Sequence, residues 1–471
     1  MLAFSDLLKG LHYIRPPGTN FVLSGAKIDS RKCMLGCLFI ALPGENVDGH
    51  DFIQDAFERG ARVALVHKDI SDDIPVIDLR KEEPYPENFT WQRPFAIRVE
   101  NTLVALQKIA KYWREQNDLN VIGITGSVGK STTKEVAAVV LEQRYRTLRN
   151  PGNLNNEIGL PLTLLHLERS HQCAILEMGF YVPGEIKLLC DIAKPQIGVL
   201  TNIGTVHAER AGTQEEIVRG KAELVESLPK DGVAILNYDD PLVRTMAKKS
   251  DARVFYYGLD ERADLWADQV NGLGLEGISF RLHYRNEILH LKVPLIGRHS
   301  VHTALRAAAI GLVLNLTWQE IVNGLRSGQT QLRLVAVRTR NGALLLDDTY
   351  NASPQSTLAA LNLLDEMTGN KIAVLGDMLE LGRYEKIGHQ MVGVRAAEVA
   401  DEILTVGERA QMIAEAARAA RFVKIKIKEF ENGDQVVDYL QDRLSEEDVV
   451  LIKGSRGMKM DAIVSALEER R

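Results

Sequence analysis

The chain has 471 residues, enough for about three domains of ordinary size. Its 57 basic and 63 acidic residues give a net charge of −6, which argues against a nucleic-acid-binding surface. It has only four cysteines, no apolar run long enough to cross a membrane, and no basic segment followed by an apolar core at its start, so we predict a cytoplasmic protein without a membrane partner.

The first hundred residues alternate short apolar runs with helical or turn segments, which predicts a small α/β unit. Strands are predicted at residues 21–24, 38–42, 63–66 and 95–99. The polar stretch at 78–88 indicates an exposed loop, and a helix is predicted from Thr102 to about Gln116. Cys33 and Cys37 lie close together, but without a second pair or nearby histidines they do not indicate a zinc site.

Residues 121–134, Val-Ile-Gly-Ile-Thr-Gly-Ser-Val-Gly-Lys-Ser-Thr-Thr-Lys, are the most informative segment of the chain. A β-branched run turns through small residues into a helix start, where backbone N–H groups and the positive helix end can surround an anion. The pattern predicts that Lys130 contacts the β- and γ-phosphates of a nucleotide and that the Ser131 hydroxyl contacts Mg²⁺. The predicted nucleotide-binding residues here are Gly126, Ser127, Val128, Gly129, Lys130, Ser131 and Thr132.

This loop is a variant of the usual phosphate-binding pattern, because Ile124 stands where the first glycine is expected. A glycine-rich turn in an unrelated α/β protein is therefore the alternative interpretation. The preceding strand, the Lys-Ser pair and the helix-forming run that follows favour the phosphate-binding role.

After this loop, the alternation of strands and helices predicts a parallel sheet flanked by helices. Strands are predicted at residues 173–177, 197–201 and 233–237, and helices at 301–314 and 317–325. A third unit begins near residue 332, with strands at 343–347, 372–376, 402–406 and 449–453. We therefore predict three domains, at residues 1–101, 102–331 and 332–471.

Open parallel sheets bind ligands beyond the carboxyl ends of their strands, and three polar residues stand near such positions. Glu177 ends a predicted strand, His207 follows another, and Lys221 lies on a helix predicted over residues 215–226. A carboxylate and an imidazole beside a triphosphate suit a Mg²⁺ site, although Mg²⁺ prefers oxygen ligands. The plain alternatives are an ion pair for Glu177, a hydrogen bond for His207 and a solvated helix face for Lys221.

Several segments together resemble the Mur ligase family of ATP-dependent ligases, and the resemblance spans nearly the whole chain. They are residues 125–135, Gly152-Asn-Leu-Asn-Asn-Glu-Ile-Gly-Leu-Pro-Leu-Thr, Glu177-Met-Gly, Thr201-Asn-Ile-Gly-Thr-Val-His, Gly220-Lys-Ala-Glu-Leu and Asn237-Tyr-Asp-Asp-Pro. Asp29-Ser-Arg resembles part of the family's uridine-nucleotide domain, and residues 453–461 resemble the end of its C-terminal domain. The resemblance implies three α/β domains: an N-terminal uridine-nucleotide-binding domain, a central P-loop-type parallel-sheet ATPase domain and a C-terminal Rossmann-like domain.

Residues 347–354, Asp-Asp-Thr-Tyr-Asn-Ala-Ser-Pro, are similar to the signature of family members that use D-alanyl-D-alanine. The resemblance implies that ATP, with Mg²⁺, phosphorylates the free carboxylate of a UDP-N-acetylmuramoyl-tripeptide, and that the dipeptide amine then attacks the acyl phosphate. We expect a monomer. The alternatives are a diaminopimelate- or lysine-adding ligase, a folylpolyglutamate synthase-like ligase, and a nucleotide-switch module without ligase chemistry.

The resemblance also implies roles for individual residues. The implied catalytic residues are Lys130, Lys221, His207 and Arg333, and the implied metal-binding residues are Ser131, Glu177, His207 and Lys221, with Lys221 as a carbamylated anion. Arg333 and Asp348 are implied to bind ATP. The implied substrate-binding residues are Ser30, Arg31, Asn153, Asn156, Tyr350, Asn351 and Ser353. One departure is that Ser300 and Thr303 stand where the family carries two amides, which puts its adenine contact in question.

Overall fold

The computed structural model describes all residues except 15, 17–18, 45, 83–84, 86–88, 90, 92, 205–208, 210–211, 328–334, 421–424 and 469–471. Within the described residues the strands form three sheets of five, nine and six strands, with helices packed against them. The predicted α/β class is therefore confirmed. His207 and Arg333 lie outside the described residues, as does the predicted domain boundary near residue 332.

The first sheet has only parallel strands, in the order β1-β2-β3-β5-β4. Its strands are β1 (Ala26–Lys27), β2 (Leu38–Ile40), β3 (Val63–Val66), β4 (Val76–Asp78) and β5 (Phe95–Arg98). The helices of this part of the chain are α1 (Phe4–Gly10), α2 (Ile53–Glu58) and α3 (Thr102–Glu115). The strand predicted at 21–24 is wrong, because only Val22 pairs there, in an isolated bridge with Ala3.

The central sheet has the order β14-β13-β12-β11-β10-β9-β6-β8-β7. Its strands are β6 (Asn120–Thr125), β7 (Thr147–Arg149), β8 (Cys173–Glu177), β9 (Ile197–Leu200), β10 (Val233–Asn237), β11 (Arg253–Gly258), β12 (Leu265–Gly272), β13 (Ile278–Tyr284) and β14 (Glu287–Val293). Its helices are α4 (Lys130–Leu141), α5 (Gly159–Leu164), α6 (Glu185–Ala193), α7 (Gln214–Glu226), α8 (Pro241–Thr245), α9 (Val301–Val313) and α10 (Trp318–Arg326).

Seven neighbouring strands of this sheet, β6 to β12, are parallel to one another. At its other edge, β13 pairs antiparallel with both β12 and β14. The sequence interpretation predicted only the parallel part. On β13 the buried Ile278, Phe280 and Leu282 alternate with less buried residues, which is the pattern of a sheet with one solvated face.

The third sheet has the order β15-β16-β20-β17-β18-β19, with β15 antiparallel to the rest. Its strands are β15 (Val335–Arg338), β16 (Leu344–Asp347), β17 (Asn370–Gly376), β18 (Glu402–Val406), β19 (Lys426–Phe430) and β20 (Asp448–Lys453). Its helices are α11 (Pro354–Glu366), α12 (Glu385–Val399), α13 (Gln411–Ala419), α14 (Gly433–Leu440) and α15 (Asp461–Leu467). None of the described helices is both long and apolar enough to cross a membrane.

Helix α4 is the element that connects the central core to the predicted phosphate loop. It begins at Lys130, and its far end packs closely against α10, where Gly324 lies beside Val140. A Cβ atom built on Gly324 would lie 2.5 Å from the Cα atom of Val140. Since no side chain separates the two backbones here, the position of α4 depends on this glycine.

The change Gly324→Ala tests this close packing. The added methyl group must push α10 away from α4, because the nearest atom belongs to the backbone. Overpacking of this kind typically lowers the free energy of unfolding by about 1–3 kcal/mol and sometimes more. The higher helix propensity of alanine would offset only about 1 kcal/mol of that loss. We therefore expect a lower urea midpoint for unfolding. Arg326→Ala, an exposed change on the same helix, is the control, and equal stability of the two variants would contradict the packing described.

Candidate active site

A cavity of about 610 Å³ lies between the central sheet and the third sheet. Residues at or just beyond the ends of β6, β8, β9 and β10 line one side, and residues at or just beyond the ends of β16, β17 and β20 line the other. Both sheets therefore present the carboxyl ends of their strands to the same space, where open parallel sheets bind ligands.

The predicted phosphate loop forms one end of this cavity. Gly126 and Gly129 have backbone φ angles of +143° and +85°, which residues other than glycine rarely adopt. The amide groups of Ser127 and Val128 donate to the backbone and side-chain oxygens of Asn202, each at 2.9 Å. The loop is thus fixed to the end of β9, and α4 begins directly after it.

Glu177, at the end of β8, is only 2% exposed and lies beside the first turn of α4. Its Oε2 atom accepts a hydrogen bond from Ser131 Oγ at 2.6 Å, and its Oε1 atom accepts one from Asn155 Nδ2 at 2.9 Å. Asn155 also lines the cavity and was not predicted as a site residue.

The oxygens of Ser131 and Glu177 are of the kind that Mg²⁺ binds. In the part of the chain that the structure describes, no group of three or more His, Cys, Asp or Glu side chains is arranged to hold a metal ion.

Lys130 and Lys221 converge on one backbone oxygen. The Nζ atoms of Lys130 and Lys221 lie 2.8 and 3.0 Å from the carbonyl oxygen of Gly126. Lys221 is only 1% exposed, and its Nζ atom lies 4.8 Å from the centroid of the Phe180 ring. Burial, and then the nearby Lys130 charge, lower the pKa of Lys221 well below its usual value. The alternative interpretation of Lys221 as a solvated helix residue is therefore wrong.

A second buried lysine, Lys134, supports the loop that carries Asn155. Its Nζ atom donates to the carbonyl oxygens of Asn150 and Gly152 at 2.5 and 3.2 Å. The Asn150 side chain in turn accepts from the backbone N–H of Glu177 at 2.9 Å and donates to its carbonyl oxygen at 3.1 Å. This network ties α4, the loop and the end of β8 together, and the sequence interpretation did not identify it.

On the opposite wall, Asp348 follows β16 and pairs with the buried Lys453 at the end of β20. Lys453 Nζ lies 2.6 Å from Asp348 Oδ2 and donates to the Asn351 carbonyl oxygen at 2.9 Å. Tyr350 also lines the cavity, 6.0 Å below the guanidinium of Arg456. Three predicted residues of this segment thus face the same cavity as Lys130.

Ser353 lies at the same wall but also has a structural role. Its hydroxyl accepts from the backbone N–H of Ser356 at 3.3 Å and caps helix α11.

The structure does not bring every predicted residue to the cavity. Asn153 is exposed and lines the cavity. Asn156 does not line it, because the Oδ1 atom of Asn156 accepts hydrogen bonds from the backbone N–H groups of Ile158 and Gly159 at the start of α5. Ser30 and Arg31 belong to the first sheet's part of the chain and lie outside the cavity.

The Arg31 side chain is 80% exposed and pairs with Asp29 at 2.9 Å, whereas Ser30 is buried. The two residues that were predicted to hold the uridine diphosphate end of the substrate therefore lie apart from the cavity described above.

The cavity continues along the N-terminal half of α9. Ser300 Oγ donates to the carbonyl oxygen of Ile296 at 2.6 Å, and Thr303 Oγ1 accepts from Arg306 at 2.9 Å, so both hydroxyls have partners within the protein. Burial, and then the neighbouring His302, lower the pKa of His299 to about 4. Arg306 was not predicted, although an arginine within an Ala/Leu-rich helix is a signal visible in the sequence.

The change Lys134→Met tests the supporting network. The carbonyl oxygen of the buried Asn150 would lose its donor, at a cost of roughly 1–3 kcal/mol, and the carbonyl oxygen of the exposed Gly152 would lose a weaker contact. We expect faster amide hydrogen exchange in residues 150–157 and at Glu177, and unchanged exchange in β17 and β18. Lys108→Met, an exposed change on α3, is the control. Unchanged protection of residues 150–157 would show that the loop does not depend on this lysine.

Three family models match the chain in succession. They are described as "Mur ligase family, catalytic domain" for residues 22–114, "Mur ligase middle domain" for residues 124–311, and "Mur ligase, glutamate ligase domain" for residues 332–456. Together they cover most of the chain.

Curated relatives match over almost their full length. The UDP-N-acetylmuramoyl-tripeptide--D-alanyl-D-alanine ligase of Bacillus subtilis is 34% identical, covering 99% of this chain and 97% of the relative. The ligase of the same name from Escherichia coli is 32% identical, with the same coverage.

Solved structures of similar ligases also match the chain over almost its full length. The structure of MurF from Acinetobacter baumannii is 31% identical with a TM-score of 0.84, covering 99% of this chain and 98% of that one. MurF ligase from Thermotoga maritima in complex with ADP is 26% identical with a TM-score of 0.79, covering 94% and 96%. A folylpolyglutamate synthase from Mycobacterium tuberculosis, at 16% identity and a TM-score of 0.60 over 78% of this chain and 95% of that one, shares the fold alone.

Proposed function

The chain belongs to the Mur ligase family, and we propose that it joins D-alanyl-D-alanine to a UDP-N-acetylmuramoyl-tripeptide at the expense of ATP. The product is the UDP-linked pentapeptide of peptidoglycan precursor synthesis. Near full-length relatives of this activity, at 32–34% identity, support this assignment over a diaminopimelate-adding or folylpolyglutamate-type ligase. Solved structures of those two types are only 16–17% identical to the chain.

The observation that carries the proposal is that the phosphate loop and the segment 347–354 line one cavity. The loop, with Lys130 and Ser131, has the geometry to hold the phosphates of ATP at one end. Asp348, Tyr350 and Asn351 stand on the opposite wall. Tyr350 and Asn351 are proposed to contact the second substrate there, and Asp348 is proposed to bind ATP. A ligase needs this arrangement because the phosphate donor and the amine must reach the same carboxylate.

The first step transfers the γ-phosphoryl group of ATP to the tripeptide carboxylate. The carboxylate oxygen forms a bond to phosphorus, and the bond to the ADP oxygen breaks. Both reactants are anions, so cationic groups must offset their repulsion and the charge of the transferring oxygens. Lys130, at the start of α4, is placed to do so.

The second step forms the amide bond. The dipeptide amine attacks the acyl carbon and loses a proton, and the tetrahedral intermediate expels inorganic phosphate. Water would hydrolyse the acyl phosphate, so the reaction requires that water be kept from the cavity between the two sheets while the intermediate exists. Residues Tyr350, Asn351 and Ser353 are our candidates for holding the dipeptide, and Asn153 for holding the tripeptide nucleotide.

We propose that Ser131 and Glu177 hold Mg²⁺, which would neutralise phosphate charge and polarise the transferring group. Lys221 enters this site as a carbamate. Its amine nitrogen bonds to the carbon of CO₂ and releases a proton, giving an anion in place of a cation. The burial of Lys221 and its lowered pKa support this reaction, because only the neutral amine is nucleophilic.

The remaining assignments rest on the family resemblance. Ser30 and Arg31 are proposed to hold the uridine diphosphate end, which requires that Arg31 exchange its contact with Asp29 for a phosphate. Metal binding and catalysis by His207, and ATP binding by Arg333, remain predictions, as does Asn156 as a substrate ligand. The domain limits at 101 and 331 are likewise proposed. ATP and UDP-linked substrates favour a cytoplasmic location.

A phosphate-release assay tests the function and the role of Lys130 together. Phosphate release should require ATP, D-alanyl-D-alanine and a UDP-tripeptide. Two UDP-tripeptides are tested separately, one with lysine and one with diaminopimelate as the third residue. Lys130→Ala should slow the reaction roughly a hundredfold or more, because the loop loses its cation for the γ-phosphate. The exposed change Lys108→Ala is the control. Release without the dipeptide would contradict the ligase assignment, and near-normal rates for Lys130→Ala would contradict the phosphate-loop assignment.

The carbamate is tested by replacing Lys221 with alanine and adding short carboxylic acids. We expect the variant to lose most of its activity and to regain part of it with formate or acetate, which can occupy the vacated anion position beside Mg²⁺. The exposed change Lys230→Ala, just beyond α7, should behave like the parent. Full activity of Lys221→Ala without added acid would rule out a role for the Lys221 carbamate as an anion beside Mg²⁺.

A further inference from the structure

Arg306 is a buried arginine that the proposed reaction does not yet use. It lies on α9, is 4% exposed, and directs its guanidinium toward α4. Its Nε atom donates to Thr133 Oγ1 at 2.8 Å, one terminal nitrogen to Thr303 Oγ1 at 2.9 Å, and the other to Tyr257 Oη at 3.4 Å. The side chain therefore joins α9, the second turn of α4 and the end of β11.

All three partners are neutral hydroxyl groups. Among the described residues, Arg306 forms no ion pair with a carboxylate. The other group that faces its charge is the Tyr257 ring, whose centroid lies 5.7 Å from the guanidinium carbon. A charge removed from water is costly unless an anion compensates it, and buried arginines are usually paired for that reason. The three hydrogen bonds also use only three of the five N–H donors of the guanidinium.

The position of the guanidinium indicates which anion would compensate it. Arg306 lines the cavity, and one of its terminal nitrogens lies 3.0 Å from the place that a Cβ atom on Gly129 would occupy. Gly129 belongs to the phosphate loop and directly precedes Lys130. The nearest anion that the cavity is built to receive is thus the polyphosphate of the nucleotide.

We propose that Arg306 binds a phosphate group of the nucleotide, as a second cation beside Lys130, and so makes affinity depend on nucleotide charge. This inference rests on the proposed function, because it takes ATP as the ligand of the cavity. Guanidinium groups bind phosphate through paired N–H donors, and the two unused donors of Arg306 suit this contact. A purely structural role would need only the hydrogen bonds to the three hydroxyls, which a neutral side chain can partly supply.

The test compares the binding of ADP and adenosine by calorimetry in one Mg²⁺-containing buffer. Arg306→Met removes the charge and the donors, and Arg306→Gln removes the charge while retaining a donor for Thr133 or Thr303. We expect both variants to bind ADP roughly tenfold or more weakly than the parent, as for loss of a charged hydrogen bond, with adenosine binding unchanged. Arg326→Met, which removes the same charge from the exposed face of α10, is the control and should bind both ligands as the parent does.

The outcomes separate this inference from the proposed function. If the parent binds neither ADP nor adenosine, the proposed function fails and this inference fails with it. If the parent binds ADP and both Arg306 variants bind it equally well, or lose ADP and adenosine in equal proportion, only the phosphate contact is overturned. If Arg306→Met does not fold, Arg306→Gln decides, and failure of both to fold would show that the guanidinium serves the fold alone.

Discussion

The carbonyl oxygen of Gly126 is the point on which the site depends, because the amino groups of Lys130 and Lys221 both lie within hydrogen-bond distance of it. Two ammonium groups this close repel each other, and the buried one is the less solvated. The result is a division of roles between residues of the same type. Lys130 lines the cavity at the start of α4, while the pKa of Lys221, enclosed beneath Phe180, is lowered toward the neutral form.

Much of the fold follows from local sequence patterns. The strands at 173–177, 233–237 and 402–406 begin and end where the continuous apolar runs predict them, because strands buried on both faces need no alternation. The same logic located much of the cavity, since residues just beyond parallel strands meet at one edge. Glu177 was identified in this way. The phosphate loop was identified through its glycines and the helix start that follows, and the segment 347–354 through its resemblance to a family signature.

The unpredicted residues depend on partners far away in the sequence. Arg306 contacts Thr133, 173 positions earlier. Its place within an Ala/Leu-rich helix sets it apart in the sequence, but the helix alone does not reveal that distant partner. Lys134 and Asn150 are polar residues that only the folded chain shows to be enclosed. Asn156 shows the opposite case, because a local bond to the start of α5 uses the side chain that was expected to meet the ligand. Short-range capping and long-range networks therefore compete for the same residue types.

The order of strands in the third sheet has a consequence for biosynthesis. Strand β20 is the last of the described strands in chain order, yet it lies between β16 and β17, so the sheet stays split until residues 448–453 have left the ribosome. Lys453, which anchors Asp348 at the cavity wall, arrives with that strand. The central sheet and its phosphate loop are complete long before. A nascent chain can thus hold the folded phosphate loop while lacking its opposing wall, and a ribosome that stops before residue 448 releases a product with half of the cavity.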